Sequence, residues 1–337
     1  MNRTNLLFIL FIILGIIVGY LLFSRAPEED NLSSLVADRK FAPEDIDDVH
    51  KIFLADRAGN QTTLTRQNGY WLYNDQYRAR PNAMENLLDA IRRIQVKYKP
   101  PVAAVDNMIK DLSAQGIKVE LYDKNGKVLK IYYIGGSIAD ERGTHAIMEG
   151  AEQPYVTHLP GWEGNLRFRY NLKGDDWRDK TLLSFQPEEI ASVSVEYPKQ
   201  KNKSFHLFNE AANYSVIPFY EVTPVINRPL SQGKAEAYLT GYENIVAEAF
   251  ENNNPVQDSI LAMVPFSIIR VKDQSGLETE LKLYPLIPRG VAIDPKTGLQ
   301  QNAQIERFFV HYNGEDFMLA QNRILNKILW AYDYFFE

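Results

Sequence analysis

Two stretches of this chain repeat one another, and a duplicated chain must bury its core twice in the same way. Asp38 to Val49 and Asp179 to Val193 share Phe, Pro-Glu, an acidic residue, then Ile and Val. The shared Ile46/Ile190 and Val49/Val193 lie at an offset of 144 (190 − 46). After each motif the same elements are expected in the same order. The first half offers strands over His50–Asp56, Gln61–Arg66 and Tyr70–Asn74, with an Asn68-Gly69 turn in which both residues take positive φ. The second offers Ser192–Tyr197, Ser204–Asn209 and Tyr214–Ile217. An amphipathic helix follows in each half, from Pro81 to about Val96 and from about Gln232 to Glu251, with apolar residues at three- and four-residue spacing. A second hairpin turns at Asp123-Lys124-Asn125-Gly126 and again at Asp273-Gln274-Ser275-Gly276. Further strands and a closing apolar helix, about Asn322–Phe336, complete the pattern. The fold class is therefore α+β: two duplicated units of antiparallel hairpins and meander, with helices packed on one face.

Ahead of the repeats, Leu6 to Phe23 contains only Leu, Phe, Ile, Gly, Val and Tyr. With its flanks this is long enough to span the hydrocarbon layer as a helix, with Leu6, Leu10, Ile13, Ile17, Leu21 and Phe23 among the lipid-facing side chains. Pro27 directly after a candidate cleavage site argues for a retained anchor. The expected organisation is a cytoplasmic tip and transmembrane anchor over residues 1–25, a tether over 26–38, a first repeat over 39–178 and a second over 179–337. That places the protein in the inner, cytoplasmic membrane as a single-pass protein, its C-terminal domains outside the cytoplasm and the bilayer its first partner. The net charge of −6 is mixed along the chain, without the basic stripe a nucleic-acid binder presents. No cysteine is present, which removes disulfides, thiol nucleophiles and thiolate metal sites.

Lys51-Ile52-Phe53-Leu54-Ala55-Asp56, Leu64-Thr65-Arg66, Gly69-Tyr70-Trp71 and Trp177-Arg178-Asp179-Lys180 resemble a bacterial family known only as a domain of unknown function, DUF4340. The resemblance covers about residues 40 to 335. It implies one N-terminal anchor, duplicated domains, and an envelope accessory role near ABC transporters linked to gliding motility. It carries no catalytic residues and no cofactor.

His50, His145, His158, His206 and His311 are far apart and lack the spacing of a metal motif. The adjacent acids Asp47-Asp48, Asp175-Asp176 and Glu188-Glu189 point to opposite faces where the chain is extended, which does not make an acid/base pair. No phosphate-binding glycine frame and no GxSxG elbow occurs. The expectation is a non-enzymatic scaffold that binds a membrane or envelope protein, with a carbohydrate- or peptide-binding module as the alternative. Candidate partner-binding residues are Trp71, Trp162, Trp177, Arg178 and Arg289, because Trp and Arg are enriched at binding hot spots. For Trp177 and Arg178 the competing reading is a linker staple. Arg289 sits in a long polar loop, Ile287 to Gln304, that interrupts the second repeat.

Overall fold

The computed structural model describes residues 36–287 and 305–337, which form two compact units divided between Arg178 and Asp179. The anchor residues Leu6, Leu10, Ile13, Ile17, Leu21 and Phe23, and Arg289, lie outside the described residues. Among the described residues no helix is long and apolar enough to cross a membrane. Both units are mixed α+β, built on antiparallel sheets with a few helices.

Unit 1 contains β1 (Lys51–Ala55), β2 (Gln61–Arg66), β3 (Trp71–Tyr73), β4 (Tyr77–Arg78), α1 (Pro81–Arg93), β5 (Gln95–Tyr98), α2 (Val102–Gln115), β6 (Ile117–Tyr122), β7 (Val128–Ser137), β8 (Thr144–Met148) and β9 (Tyr155–His158). The strand order is β4-β3-β2-β1-β6-β7-β8-β9-β5. Alternation puts Ile52 and Leu54 of β1, and Ile117, Val119 and Leu121 of β6, on one buried face. Onto it α1 lays Met84, Leu87 and Ile91, one stripe of a helix that starts at Pro81, where a missing N–H costs nothing.

Unit 2 contains β10 (Thr181–Leu183), β11 (Ile190–Glu196), β12 (Phe205–Glu210), β13 (Asn213–Pro218), α3 (Gln232–Thr240), β14 (Ile245–Val246), β15 (Ala249–Phe250), β16 (Ser267–Asp273), β17 (Glu278–Pro285), β18 (Arg307–Tyr312) and β19 (Asp316–Gln321). Its main sheet runs β13-β12-β11-β16-β17-β18-β19-β15, the order of unit 1 without a counterpart of β4. The hairpin turns match as well. Asp123 Oδ1 accepts from the N–H of Asn125 and Lys127, and Asp273 Oδ1 from Ser275 and Leu277, each with a positive-φ glycine before the chain returns.

Strand register corrects the alignment of the leading motifs. Ile52 pairs with Leu121 and Val193 with Val271, so β1 and β11 correspond at an offset of 141 (193 − 52), three less than the residue pattern suggested. The difference is one 3₁₀ turn. Ile46–Asp48 precedes buried Val49, and Pro187–Glu189 precedes buried Ile190. What corresponds is the apolar residue that enters the core after the turn, and the Pro-Glu pair slides by one turn against it.

Other expectations are corrected too. α3 ends at Thr240; beyond it Tyr242 O accepts from Phe185 N and Ala247 N donates to Lys180 O, so pairing with the β10 segment draws the chain into strands. The closing segment is two short pieces, Asn322–Leu325 and a 3₁₀ turn at Tyr332–Phe335, each burying aromatic or aliphatic side chains that mimic a helical stripe. At Asn68-Gly69 only Gly69 takes positive φ; among the described residues the turns with two successive positive-φ residues are Asn74-Asp75, Ala211-Ala212 and Asn313-Gly314. α2 went unseen in the sequence, and it packs on the sheet face opposite α1. It reaches His145, whose neighbour Ala146 points into the α1 side of the core. Helices thus cover both faces of unit 1. In unit 2, too, Ile260 and Leu261 of a short helix pack on Tyr284, Phe309 and Phe317, away from the main core.

Candidate partner-binding grooves

The structure separates the residues singled out above. Trp177 is fully buried, with its Nε1–H donating to Leu172 O at 2.8 Å and its own carbonyl accepting from Arg80 N at 2.7 Å. Arg178 is 7% exposed; it bonds Asp175 at 3.2 Å, and its guanidinium lies 3.8 Å from the Tyr77 ring centre. Ala79 and Arg178 form a β-bridge. These two residues strap the end of unit 1 onto the β4–α1 junction, as the linker-staple reading has it, and Trp177 has no accessible surface to offer a partner.

Trp71 lines an open groove of about 790 Å³ between the β2–β4 end of the sheet, the Ile46 turn and α1. Arg66 stacks its guanidinium 5.1 Å from the Trp71 ring, and Arg78 lies 5.6 Å from the ring of Tyr70, which is 42% exposed. Asp47, Glu85, Asp89 and Arg92 supply the rest of a mixed-charge wall. Arg66 is held by Asp47 at 3.3 Å and by Ile46 O at 3.1 Å. Asn209 makes the equivalent contact in unit 2, donating to Pro187 O at 3.0 Å, and there Gln232 also bonds both N–H and C=O of Tyr214. Gln232 thereby ties α3 to the edge of β13.

Trp162 does not line this groove, but is coupled to it. Arg169 stacks 4.9 Å from the Trp162 ring and bonds Asp89 at 2.9 Å, and Arg93 bonds the same carboxylate at 3.1 Å. Burial opposes ionisation of Asp89, but the hydrogen bonds from Arg93 and Arg169 outweigh it and hold the carboxyl below its usual value. Arg66, Arg78 and Arg92 were missed in the sequence because it is the folding of β2, β4 and α1 against one another that brings them together. The only local signal was the Tyr70-Trp71 pair.

A second groove, about 500 Å³, lies within unit 2 and is lined by Tyr197, Phe266, Phe308, Trp330 and Tyr334 with several side-chain amides. Among the described residues no group of three or more His, Asp or Glu is placed to hold a metal ion. A His–carboxylate pair is found among the described residues: Asp111 Oδ2 accepts from Gly136 N at 2.8 Å and sits 3.0 Å from His145 Nδ1. It lines neither groove. A Cβ on Gly135 would come within 2.7 Å of the same carboxylate, so the glycine is what lets α2 dock its acid on β7. Asp111 therefore acts as a clamp. Its desolvation is outweighed by hydrogen bonds from Gln115, Gly136 and His145, and its pKa is lowered. A lowered carboxyl contributes stability above the unfolded value, roughly 3.9, and that contribution is lost as pH falls through the folded value. We expect α2 amides to lose hydrogen-exchange protection on acidification below about pH 4, and Asp111→Asn to show weaker protection with that pH step abolished. An unchanged step in the variant would refute the clamp.

A family model described as Domain of unknown function (DUF4340) matches residues 71–261, more than half of the chain, beginning at Trp71 and crossing from unit 1 into unit 2. Searches of curated proteins and of solved structures find no match.

Proposed function

We propose that this chain, which belongs to the DUF4340 family of domains of unknown function, is a non-enzymatic membrane-anchored accessory that holds a partner protein in the groove of unit 1. The observation that carries the reading is the composition of that groove. An exposed Tyr, a largely buried Trp and three Arg line it beside paired acids, and these are the residue types that dominate protein-binding hot spots. Mixed charge on the walls favours a protein partner over a small ligand of one sign.

The apolar run Leu6–Phe23 supports anchorage in the inner membrane with both units outside the cytoplasm. Matching strand order and matching Asp-centred turns support origin by duplication. Tethering to the bilayer raises the local concentration of a membrane partner, so a contact of modest affinity suffices. The partner fits an auxiliary role in an ABC-transporter or gliding-motility assembly. The test is photo-crosslinking in intact cells from a probe placed at Glu85, using the full chain. A specific adduct with a membrane protein is expected, falling at least about tenfold in Tyr70→Ala/Arg78→Ala, since each hot-spot side chain is worth about 1 kcal/mol or more. Absence of any adduct, with the protein recovered alone from mild detergent, would overturn the proposal.

A second reading, an extracytoplasmic carbohydrate- or peptide-binding module, is favoured by the aromatic groove of unit 2.

A further inference from the structure

The two units differ at one end of their sheets. In unit 1 the space where β1 ends and β6 begins is nearly filled. A cavity of about 20 Å³ remains beside Tyr170 and Leu172, and Lys173 closes it with an ion pair to Asp56 at 2.9 Å. In unit 2 the corresponding place, at Tyr197 just after β11 and Phe266 just before β16, opens into the groove of about 500 Å³. The closing segment of the chain forms its far wall with Trp330 and Tyr334.

Trp330 is held in place from behind. Its ring lies 5.2 Å from that of Tyr238 and 5.5 Å from that of Phe335, and its carbonyl accepts from Tyr197 Oη at 2.9 Å. Tyr334, 6.1 Å from Trp330, is 66% exposed. The polar part of the lining is unusual for a protein-docking face. It consists of the amides of Gln200, Asn322 and Asn326 with the single ammonium of Lys203, and no carboxylate is among the described lining residues. Asn322 donates to Ile305 O at 2.7 Å, which fixes the plane of its amide.

We infer that this groove binds a neutral oligosaccharide. The inference rests on the second reading above and names its ligand class. A pyranose ring has an apolar C–H face and a rim of hydroxyls, each both donor and acceptor. Aromatic faces match the first, and primary amides, which also donate and accept, match the second. Among the described lining residues an acidic ligand would find one cation and a cationic ligand no carboxylate; Glu306, Arg307 and Arg323 line the adjoining recess. A peptide bound as an added strand needs an unpaired strand edge, whereas β11, β16 and β18, which border this groove, are each paired on both sides.

The test uses the full chain in a zwitterionic, sugar-free detergent, since maltoside headgroups would compete. Saturation-transfer NMR and calorimetry are run with maltose, cellobiose and chitobiose, and separately with a mixed tripeptide pool. Saturable binding of at least one disaccharide is expected, with a dissociation constant on the order of 1 mM. Tyr334→Ala, at an exposed position, should weaken it at least about fivefold through loss of an aromatic contact, and Tyr334→Phe should retain it. Asn326→Ala should weaken it comparably. Binding of the peptides alone would overturn the saccharide inference and leave the broader module reading standing. No saturation by either class, or disaccharide binding indifferent to both alanine variants, would overturn the assignment of this groove.

Discussion

Trp177→Ala should cost unit 1 about 3–5 kcal/mol, a large share of the roughly 5–15 kcal/mol by which a domain of this kind is stable. The indole is fully buried among Phe41, Leu87, Tyr170 and their neighbours. Truncation leaves a cavity, and leaves Leu172 O without its 2.8 Å donor. A stranded buried acceptor adds about 1–3 kcal/mol where water cannot replace the bond. The backbone bond from Arg80 N to Trp177 O, which holds the start of α1, is retained in the variant, so the loss reports the side chain. Native-state hydrogen exchange is the measurement. Amides of β1, β6 and β7 should lose protection, while those of β11, β16 and β17, which belong to a separate core, should keep theirs. A loss below about 1 kcal/mol, or equal losses in both sets of strands, would contradict a structural strap confined to unit 1.

Tyr238→Ala should be the matching lesion in unit 2, again about 3–5 kcal/mol or more. Its ring meets Phe205 at 5.6 Å, Tyr242 at 5.3 Å and Phe335 at 5.2 Å between centres, edge to face in each case. Such pairs add about 0.5–1.5 kcal/mol each beyond burial. The hydroxyl sits 2.5 Å from Tyr242 Oη and donates to Ile328 O at 3.0 Å, tying α3 to the closing segment. Tyr238→Phe separates the two contributions. It keeps the ring and removes the donor, so urea denaturation should report a smaller loss, about 1–3 kcal/mol. If the two variants cost the same, the hydrogen bonds and not the packing dominate, and the aromatic account of this core fails.

Much of this architecture could be read in the residues. Alternation in Ile52/Leu54 and Val119/Leu121, and the Asp-x-x-Gly turns at 123 and 273, are local signals with local causes. They located the core strands and both second hairpins. The stripe of α1 was equally plain, since Met84, Leu87 and Ile91 recur at helical spacing. The misreadings came where tertiary pairing overrode spacing. Tyr242, Ile245 and Phe250 continue the rhythm of α3, yet hydrogen bonding to the β10 segment and to β19 takes those residues out of the helix. α2 has a weaker stripe, with only Met108 and Leu112 buried, because its tie to the sheet is the polar clamp at Asp111.

Periodicity, turn chemistry and internal similarity are written along the chain, so the α+β class, the repeated order of strands and the apolar leader follow from residue order alone. Which aromatic faces solvent and which fills a core is not written there. Trp71, Trp162 and Trp177 are alike as letters, yet one lines a groove, one backs an Arg–Asp network and one is sealed inside. Their fates depend on segments far away in the chain, because accessibility and charge pairing are properties of three-dimensional neighbours. Both grooves therefore became visible only after folding had brought those neighbours together.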